Sequence, residues 1–182
     1  MESRSFLARI SPKKKIILFL ALFLVLTSPL FNAVGILFYR FHQDLWAQRC
    51  YRVSLLVNPF AISPLHNLGL LEKDDGNHER AEQIYSEIIS RKPLWGLVHK
   101  SLGASYHLQG RIREAKREYW RALSLDPRLA SAWNNLGVIY FHQGKFSMAK
   151  VCYLEALSLD PCDKITQANW QRLMSNFTLG SR

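Results

Sequence analysis

The residue types that most often carry catalysis are present in this sequence, but not in catalytic arrangements. No glycine-rich phosphate loop, HExxH zinc motif or nucleophile elbow occurs. Six histidines are scattered along the chain. His107 and His142 recur near the same turn of a repeated pattern but are offset by one position, so they are not expected to face each other as metal ligands. The histidines therefore predict no metal site.

The cysteines do not indicate a reactive or metal-binding group either. The chain has three of them, Cys50, Cys152 and Cys162, and it contains no CxxC pair and no CxxCH sequence. This disfavours a zinc ribbon, a disulfide framework and covalently attached haem, and Cys152 is expected to be a small buried apolar residue. We predict that the protein is not an enzyme and holds no cofactor, which leaves recognition of a partner as its chemistry.

The positive charge is concentrated near the N-terminus. The formal net charge is +10, and residues 1–15 contain five basic residues and one acidic residue. Basic residues that flank an apolar segment commonly orient it in a membrane. The isoelectric point of about 9.8 is therefore weak evidence for nucleic-acid binding, and no nucleic-acid partner is expected.

The apolar segment covers residues 16–39, which are 24 residues without a charge. At about 1.5 Å per residue, such a helix spans the hydrocarbon core of a bilayer with some tilt. Five basic residues precede it and three follow it, so we expect a single-pass membrane protein with a cytoplasmic N-terminus and its remaining domain on the opposite side. The alternative is a signal peptide cleaved at Ala33-Val34-Gly35, although the apolar run continues beyond that site.

Residues of the same type return every 34 positions through the rest of the chain. The recurring sets are Leu68-Gly69, Leu102-Gly103 and Leu136-Gly137; Gly76, Gly110 and Gly144; Ala81, Ala115 and Ala149; Tyr85, Tyr119 and Tyr153; and Pro93, Pro127 and Pro161. The first glycines and the alanines are expected to let two helices approach closely. The second glycines should end one helix, and the prolines the next. Each helix pair leaves an apolar stripe half exposed, so the pairs must stack.

This pattern resembles that of the tetratricopeptide-repeat family. Residues 130–163 match nearly throughout, at Trp133, Leu136, Gly137, Tyr140, Gly144, Phe146, Ala149, Tyr153, Ala156 and Pro161. Residues 96–129 match with His99 in place of the tryptophan. Residues 62–95 diverge further, with Leu65 at that position, Glu72 for a tyrosine and His78 for the aromatic residue. The resemblance implies an all-α, right-handed superhelix of three helix-turn-helix repeats.

The sequence on either side of the three repeats completes the predicted organisation. Residues 1–15 form a basic tail, and residues 16–39 form the transmembrane helix. Residues 40–61 resemble the second half of a further repeat, because its alanine and tyrosine lie one repeat period before those of the first repeat. The first half is missing, and the membrane segment takes its place. The repeats occupy residues 62–163, and residues 164–178 form an amphipathic helix that caps the solenoid.

The resemblance also indicates where a partner binds, because the first helices of such repeats line a concave groove for an extended or helical peptide. The register places there His66, Asn67, Leu70, Lys100, Ser101, Ala104, His107, Asn134, Asn135, Val138 and Phe141. A polar strip beside an apolar strip suits a peptide with a hydrophobic anchor and backbone amides held by Asn134 and Asn135. The alternative for these two asparagines is capping or solvent contact. The Lys and Arg with which some members clamp an acidic chaperone C-terminus are missing, so that specificity is not expected.

The second helix of the middle repeat is strongly basic on its convex face. Its cations are Arg111, Arg113, Lys116, Arg117 and Arg121. Glu114 and Glu118 stand three residues before Arg117 and Arg121, and such pairs would partly neutralise a solvated outer face. The alternative is contact with anionic lipid or with an acidic partner.

The predicted function is a membrane-anchored scaffold for protein–protein interaction. We expect an assembly or chaperone-like factor for a membrane-associated complex, with a protein or peptide partner in the groove and residues 16–39 in the membrane. This expectation rests on similarity of architecture. The alternative is a regulatory or lipid-surface-binding module that uses the basic middle repeat.

Overall fold

The computed structural model describes residues 27–179, and side chains as far as residue 176. Every regular element in that range is an α-helix. The helices are α1 (residues 27–40), α2 (Asp44–Val57), α3 (Ile62–Asp74), α4 (His78–Arg91), α5 (Gly96–Leu108), α6 (Ile112–Leu125), α7 (Ala130–His142), α8 (Phe146–Leu159) and α9 (Lys164–Leu179). The chain divides into two compact units, with the boundary after Leu71, inside α3. The helical part of the predicted fold class is confirmed.

In the second unit, a glycine sets the distance between the two helices of each pair. A Cβ on Gly137 would lie 2.5 Å from Cε1 of Tyr153, and one on Gly103 would lie 2.9 Å from the ring of Tyr119. Both tyrosines are buried. A methyl group at either position has no room, so α5 packs on α6, and α7 on α8, only because these positions lack a side chain.

A different glycine ends the first helix of each pair by adopting a left-handed backbone conformation. The φ angles of Gly110 and Gly144 are 73° and 69°. At the end of α5, the N–H of Gly110 donates to the carbonyl of His107 at 3.0 Å, and the N–H of Arg111 donates to that of Tyr106 at 2.9 Å. A Cβ on Gly110 or Gly144 would meet no atom within 4 Å. The backbone angle, rather than lack of space, therefore requires glycine at these two positions.

One side-chain position in the first helices ties each helix to the preceding proline. At this position a nitrogen bonds to the carbonyl oxygen of the proline six residues earlier. The pairs are His99 with Pro93 at 3.1 Å, Trp133 with Pro127 at 3.0 Å, and Gln167 with Pro161 at 2.7 Å. Three chemically different side chains thus make the same contact. Because α9 takes part through Gln167, it begins in the same way as the first helix of a further repeat.

The last helix, α9, is held by a cap, a polar link and a buried leucine. Oδ1 and Oδ2 of Asp163 accept the backbone N–H groups of Ile165 and Thr166 at 3.2 and 3.1 Å. The amide of Asn169 donates to Asn134 on α7 at 2.9 Å. Leu173 is fully buried. These contacts cover the apolar surface of the last helix pair, as a solenoid end requires.

In the first unit, α1 and α2 form a helix pair with the geometry of the repeats. A Cβ on Gly35 would lie 2.6 Å from Cε1 of Tyr51, which repeats the contact between glycine and tyrosine in the second unit. The backbone φ of His42 is +56°, and His42 stands one repeat period before Gly76. Ala47 and Tyr51 form a buried cluster with Leu71. The register of the repeat therefore extends to α1, where the sequence suggested that a first helix was missing.

Polar contacts fasten α1 to the other helices of the first unit. The hydroxyl of Ser28 donates to the carbonyl of Ser54 at 3.0 Å, and the hydroxyl of Ser54 donates to the carbonyl of Ser28 at 2.7 Å. The amide of Asn67 on α3 donates to Oδ1 of Asn32 at 2.9 Å. Polar side chains that interrupt the apolar run are thus used to position one helix against its neighbours.

The prediction of a transmembrane helix over residues 16–39 is wrong. Among residues 27–179, no helix is both long enough and apolar enough to cross a bilayer; residues 16–26 of the predicted segment lie outside the described residues. The apolar side chains that predicted a span pack in part against α2 and α3 instead. The predicted single-pass localisation and its topology depended on this helix and are therefore wrong as well.

Candidate functional site

The predicted groove residues of the second unit lie on α5 and α7. Lys100, Ala104 and His107 on α5 and Asn135, Val138 and Phe141 on α7 are half-buried, whereas Ser101 and Asn134 are buried. Both helices are the first members of their pairs, so the repeat places these residues at equivalent positions. The half-buried set forms the candidate groove of this unit, and its use by a partner stays a prediction.

Asn134 has a structural contact that the sequence did not indicate. Its Oδ1 accepts the amide of Asn169, and the residue is buried. In the first unit, Asn67 makes the same kind of bond with Asn32, again across 35 residues of sequence. In both bonds the donor lies in the following repeat, one residue beyond the position equivalent to the acceptor. Asn134 therefore connects α7 to α9, whatever it contributes to a partner.

Lys100 is the cation with the least compensation in the candidate groove. It is half-buried on α5, and it makes no ion pair with any residue between 27 and 176. Burial lowers the pKa of its ammonium group, and the positive charge of Lys73 lowers it further. A cation that has lost hydration without gaining a carboxylate is electrostatically unsatisfied in this structure.

Further positive or titratable groups line the same helices toward their C-terminal ends. Burial lowers the pKa of His107, and His142 on α7 lowers it further. The guanidinium of Arg172 on α9 lies 5.4 Å from the ring centroid of Phe141. Arg172 and Lys100 give this face of the second unit a positive potential, which favours a partner with carboxylates.

The groove residues predicted on α3 belong to the first unit. His66 is buried, Asn67 donates to Asn32, and Leu70 is half-buried. They share α3, so the helix brings them together on its own. Asn67, like Asn134, is engaged in a bond between helices.

The predicted basic patch separates into two groups of residues with different roles. Arg111 donates to Glu82 on α4 at 2.7 Å and to Glu114 at 3.1 Å, and it lies 4.2 Å from the ring centroid of Tyr106. This residue is therefore part of the packing between α4, α5 and α6. Lys116 lies 5.1 Å from the ring centroid of Tyr140, so it also faces a neighbouring helix.

The other cations of α6 are left without the partners that the sequence offered. Glu114 bonds to Arg111, and Glu118 lies 2.8 Å from Nδ1 of His99 and is only 13% exposed. Arg113 and Arg121 make no ion pair with any described residue, and Arg117 approaches Glu118 at 3.5 Å. The outer face of α6 is thus more positive than a count of its acidic residues suggested.

Comparison with known families decides the classification. A tetratricopeptide-repeat pattern matches residues 130–161, a second matches residues 103–144, and a third matches residues 62–93. The chain belongs to the tetratricopeptide-repeat family. No curated protein matches it in sequence. As a member of this family it is a scaffold for protein–protein interaction, and proteins of this fold are typically not catalytic.

Solved structures share the tetratricopeptide-repeat fold at low sequence identity. PilF of Pseudomonas aeruginosa is 17% identical with a TM-score of 0.75, and the match covers 84% of this chain and 69% of that protein. TTC0263 of Thermus thermophilus is 18% identical with a TM-score of 0.74, and the match covers 82% of each chain. MamA is 20% identical with a TM-score of 0.64, covering 80% of this chain and 85% of that one. At these identities the likeness shows the fold alone.

The three cysteines of this tetratricopeptide-repeat protein differ in their exposure to solvent. Cys152 is buried, as predicted, and burial raises the pKa of its thiol to about 11. Burial also raises the pKa of Cys50, while Cys162 is exposed. In the part of the chain that the structure describes, no three His, Cys, Asp or Glu side chains converge as metal ligands do.

Sequence reasoning missed two features of the repeat that its register could have revealed. Gly35 lies one repeat period before Gly69, which marks α1 as the first helix of the pair that α2 completes. His99 departs from the tryptophan of the family, yet its nitrogen makes the same bond to a proline carbonyl. In both cases the position in the repeat, rather than hydrophobicity or residue identity, is the informative signal.

Proposed function

We propose that this protein holds an acidic segment of a protein partner on α5 and α7 of its second unit while a larger complex assembles. It would act as an assembly or chaperone-like scaffold. The observation that carries the proposal is Lys100, a half-buried cation without an ion pair in the described chain. A carboxylate from a partner would supply the interaction that the folded chain lacks.

The energetics of Lys100 favour a role in binding over a role in stability. A desolvated ammonium without a counter-ion destabilises the folded state, so a neutral side chain of similar length should fold at least as well. Functional residues often carry such a cost in stability. A partner carboxylate in this partly desolvated place would make a stronger bond than one at a fully hydrated surface.

The surroundings of Lys100 support a peptide with a mixed sequence. Ala104 and Val138 leave room for an apolar side chain, since both are small and half-buried. Asn135 offers an amide on the neighbouring helix. A peptide with an acidic residue next to an apolar one matches this arrangement.

The test is Lys100→Met, with Lys164→Met as the matched control because Lys164 is exposed at the start of α9. Each tagged variant is expressed in cells, and the proteins that co-purify are quantified by mass spectrometry. We expect Lys100→Met to lose its principal partner by about tenfold, the effect of roughly 1.4 kcal/mol, with an unchanged or higher melting temperature. Equal recovery by both variants would remove this groove from consideration.

The assembly role is tested separately in cells that lack the protein. We expect the partner to accumulate as a free subunit instead of in its complex, on native gels or sedimentation gradients. A partner that remains in a complex of normal size would point to a regulatory role for the interaction.

A further inference from the structure

The outward face of α8 is apolar where the equivalent helices are polar. Met148, Val151 and Leu154 are 46%, 57% and 46% exposed. The residues one repeat period earlier on α6 are Glu114, Arg117 and Trp120, and those two periods earlier on α4 are Arg80, Gln83 and Ser86. The repeat fold does not need apolar groups at these positions, because the other copies do without most of them. The exposed apolar ridge of α8 therefore calls for a function other than folding.

The outward face of α6 carries three arginines at four-residue spacing. Arg113, Arg117 and Arg121 are spaced by four residues, which is a rise of about 6 Å from one to the next. All three are exposed, and the two carboxylates of α6 nearest to them are bonded to Arg111 and His99. Arg117 also approaches Glu118 at 3.5 Å, whereas Arg113 and Arg121 make no ion pair with any described residue, so the row keeps a net positive charge.

An exposed tryptophan lies on the same helix as this row. Trp120 is 42% exposed, and its ring meets that of Trp133 on α7 edge-to-face at 5.5 Å. The contact with Trp133 holds one part of the ring in place and leaves the rest accessible. Preordered aromatic side chains with both apolar and polar character are common anchors in protein interfaces.

These features share one face of the second unit, because Arg117 on α6 and Val151 on α8 occupy the same position in consecutive repeats, which stack through α7. The surface has a basic ridge on α6, an apolar ridge on α8, and Trp120. We propose that this convex surface binds an acidic amphipathic helix of a protein partner. The carboxylates of such a helix, one turn apart, match the spacing of the arginines along α6, and its apolar stripe would cover Val151 and Leu154.

A protein partner fits this surface better than an anionic membrane does. Glu155 is exposed on α8 beside Val151 and Leu154. A carboxylate among the apolar residues would be repelled by anionic headgroups and costly to insert at the acyl boundary. A partner helix with a single basic residue near its apolar stripe would instead pair with Glu155 at the edge of the interface.

The test is selection of displayed random peptides, long enough for about four helical turns, on the full-length protein, with parallel selection on two triple variants. One replaces Arg113, Arg117 and Arg121 by Glu. The control replaces Arg40, Arg52 and Lys164 by Glu, which are exposed elsewhere and give the same change in net charge. We expect enriched peptides with Asp or Glu at four-residue spacing and an apolar stripe. Their affinity should fall by about tenfold or more for the α6 variant and by less than about threefold for the control.

Two register-matched substitutions test the apolar ridge. Val151→Asp should also weaken the selected peptides about tenfold, whereas Gln83→Asp, at the equivalent position of α4, should not. Lys100→Met should leave their binding intact, which separates this surface from the proposed groove. The proposal is overturned if no acidic peptide is enriched, or if the α6 variant binds the enriched peptides as well as the control does. Loss of binding by Lys100→Met, or flotation with phosphatidylserine vesicles but no acidic peptide, would overturn it too.

Discussion

Replacement of Gly137 by alanine tests the close packing between α7 and α8 by the sign of its effect. In a helix interior, Gly→Ala normally stabilises by about 1 kcal/mol, because alanine has the higher helix propensity. Here the new Cβ would lie 2.5 Å from Cε1 and 2.6 Å from Cδ1 of Tyr153. Tyr153 is buried, so its ring cannot move away without displacing its neighbours.

The expected result is a net loss of stability. Overpacking of a well-packed core costs about 1–3 kcal/mol. Since Tyr153 is enclosed, we take the upper part of that range and subtract the propensity gain. The free energy of unfolding should then fall by about 1–2 kcal/mol, and the melting temperature by about 3–6 °C.

The assay is thermal and urea unfolding followed by circular dichroism, with hydrogen exchange of α7 and α8 as a local measurement. Gly103→Ala is the comparison, since its Cβ would meet the Tyr119 ring at 2.9 Å and should cost less. In a Tyr153→Leu background, which removes the clashing ring atoms, Gly137→Ala should become neutral or stabilising. A Gly137→Ala protein that melts higher than the wild type would refute the close approach of the two helices.

Three further predictions concern the end of the repeat domain and the thiols. Asn169→Ala should lower the stability of α9 by about 1–3 kcal/mol, because Asn134 is left buried without this partner; unchanged hydrogen exchange in α9 would contradict it. Hydrogen bonds from α9 lower the pKa of Asp163 below its usual 3.8. The stability that these bonds contribute is therefore present above that pH and lost as the pH falls through the lowered pKa, so Asp163→Ala should cost about 1 kcal/mol at pH 7 and progressively less below pH 3.8. Iodoacetamide at pH 8 should alkylate exposed Cys162 in minutes and buried Cys152 only on unfolding, by peptide mass spectrometry; equal rates would contradict the burial.

The sequence alone was sufficient for the repeat. A fixed period reports geometry, because glycine, alanine and tyrosine recur wherever two helices must approach in the same way. The close approach of two helices at Gly137 and the left-handed helix end at Gly144 follow directly from that period. The family and its role as an interaction scaffold could also be predicted, since both depend on the same positions.

The sequence was misleading where hydrophobicity has two physical explanations. A charge-free run suits a bilayer and equally suits a helix that packs on its neighbours, and composition does not distinguish the two. For residues 27–40 the structure shows a helix that packs on its neighbours, since Gly35 contacts Tyr51 and Ser28 bonds to Ser54. Those contacts join residues far apart in sequence, so only the folded chain reveals them.

Only the tertiary structure likewise shows which charged side chains form ion pairs with each other. On sequence spacing, Glu118 was available to neutralise Arg121, three residues along the same helix. In the fold, the carboxylate turns to His99 on α5, and Arg121 remains exposed without an ion pair among the described residues. The physical reason is that a helix fixes which residues share its face, whereas the neighbouring helix determines which of them are used in packing. The local pattern thus determined the repeat and its helices, and the packing between helices decided which charges remain for a partner.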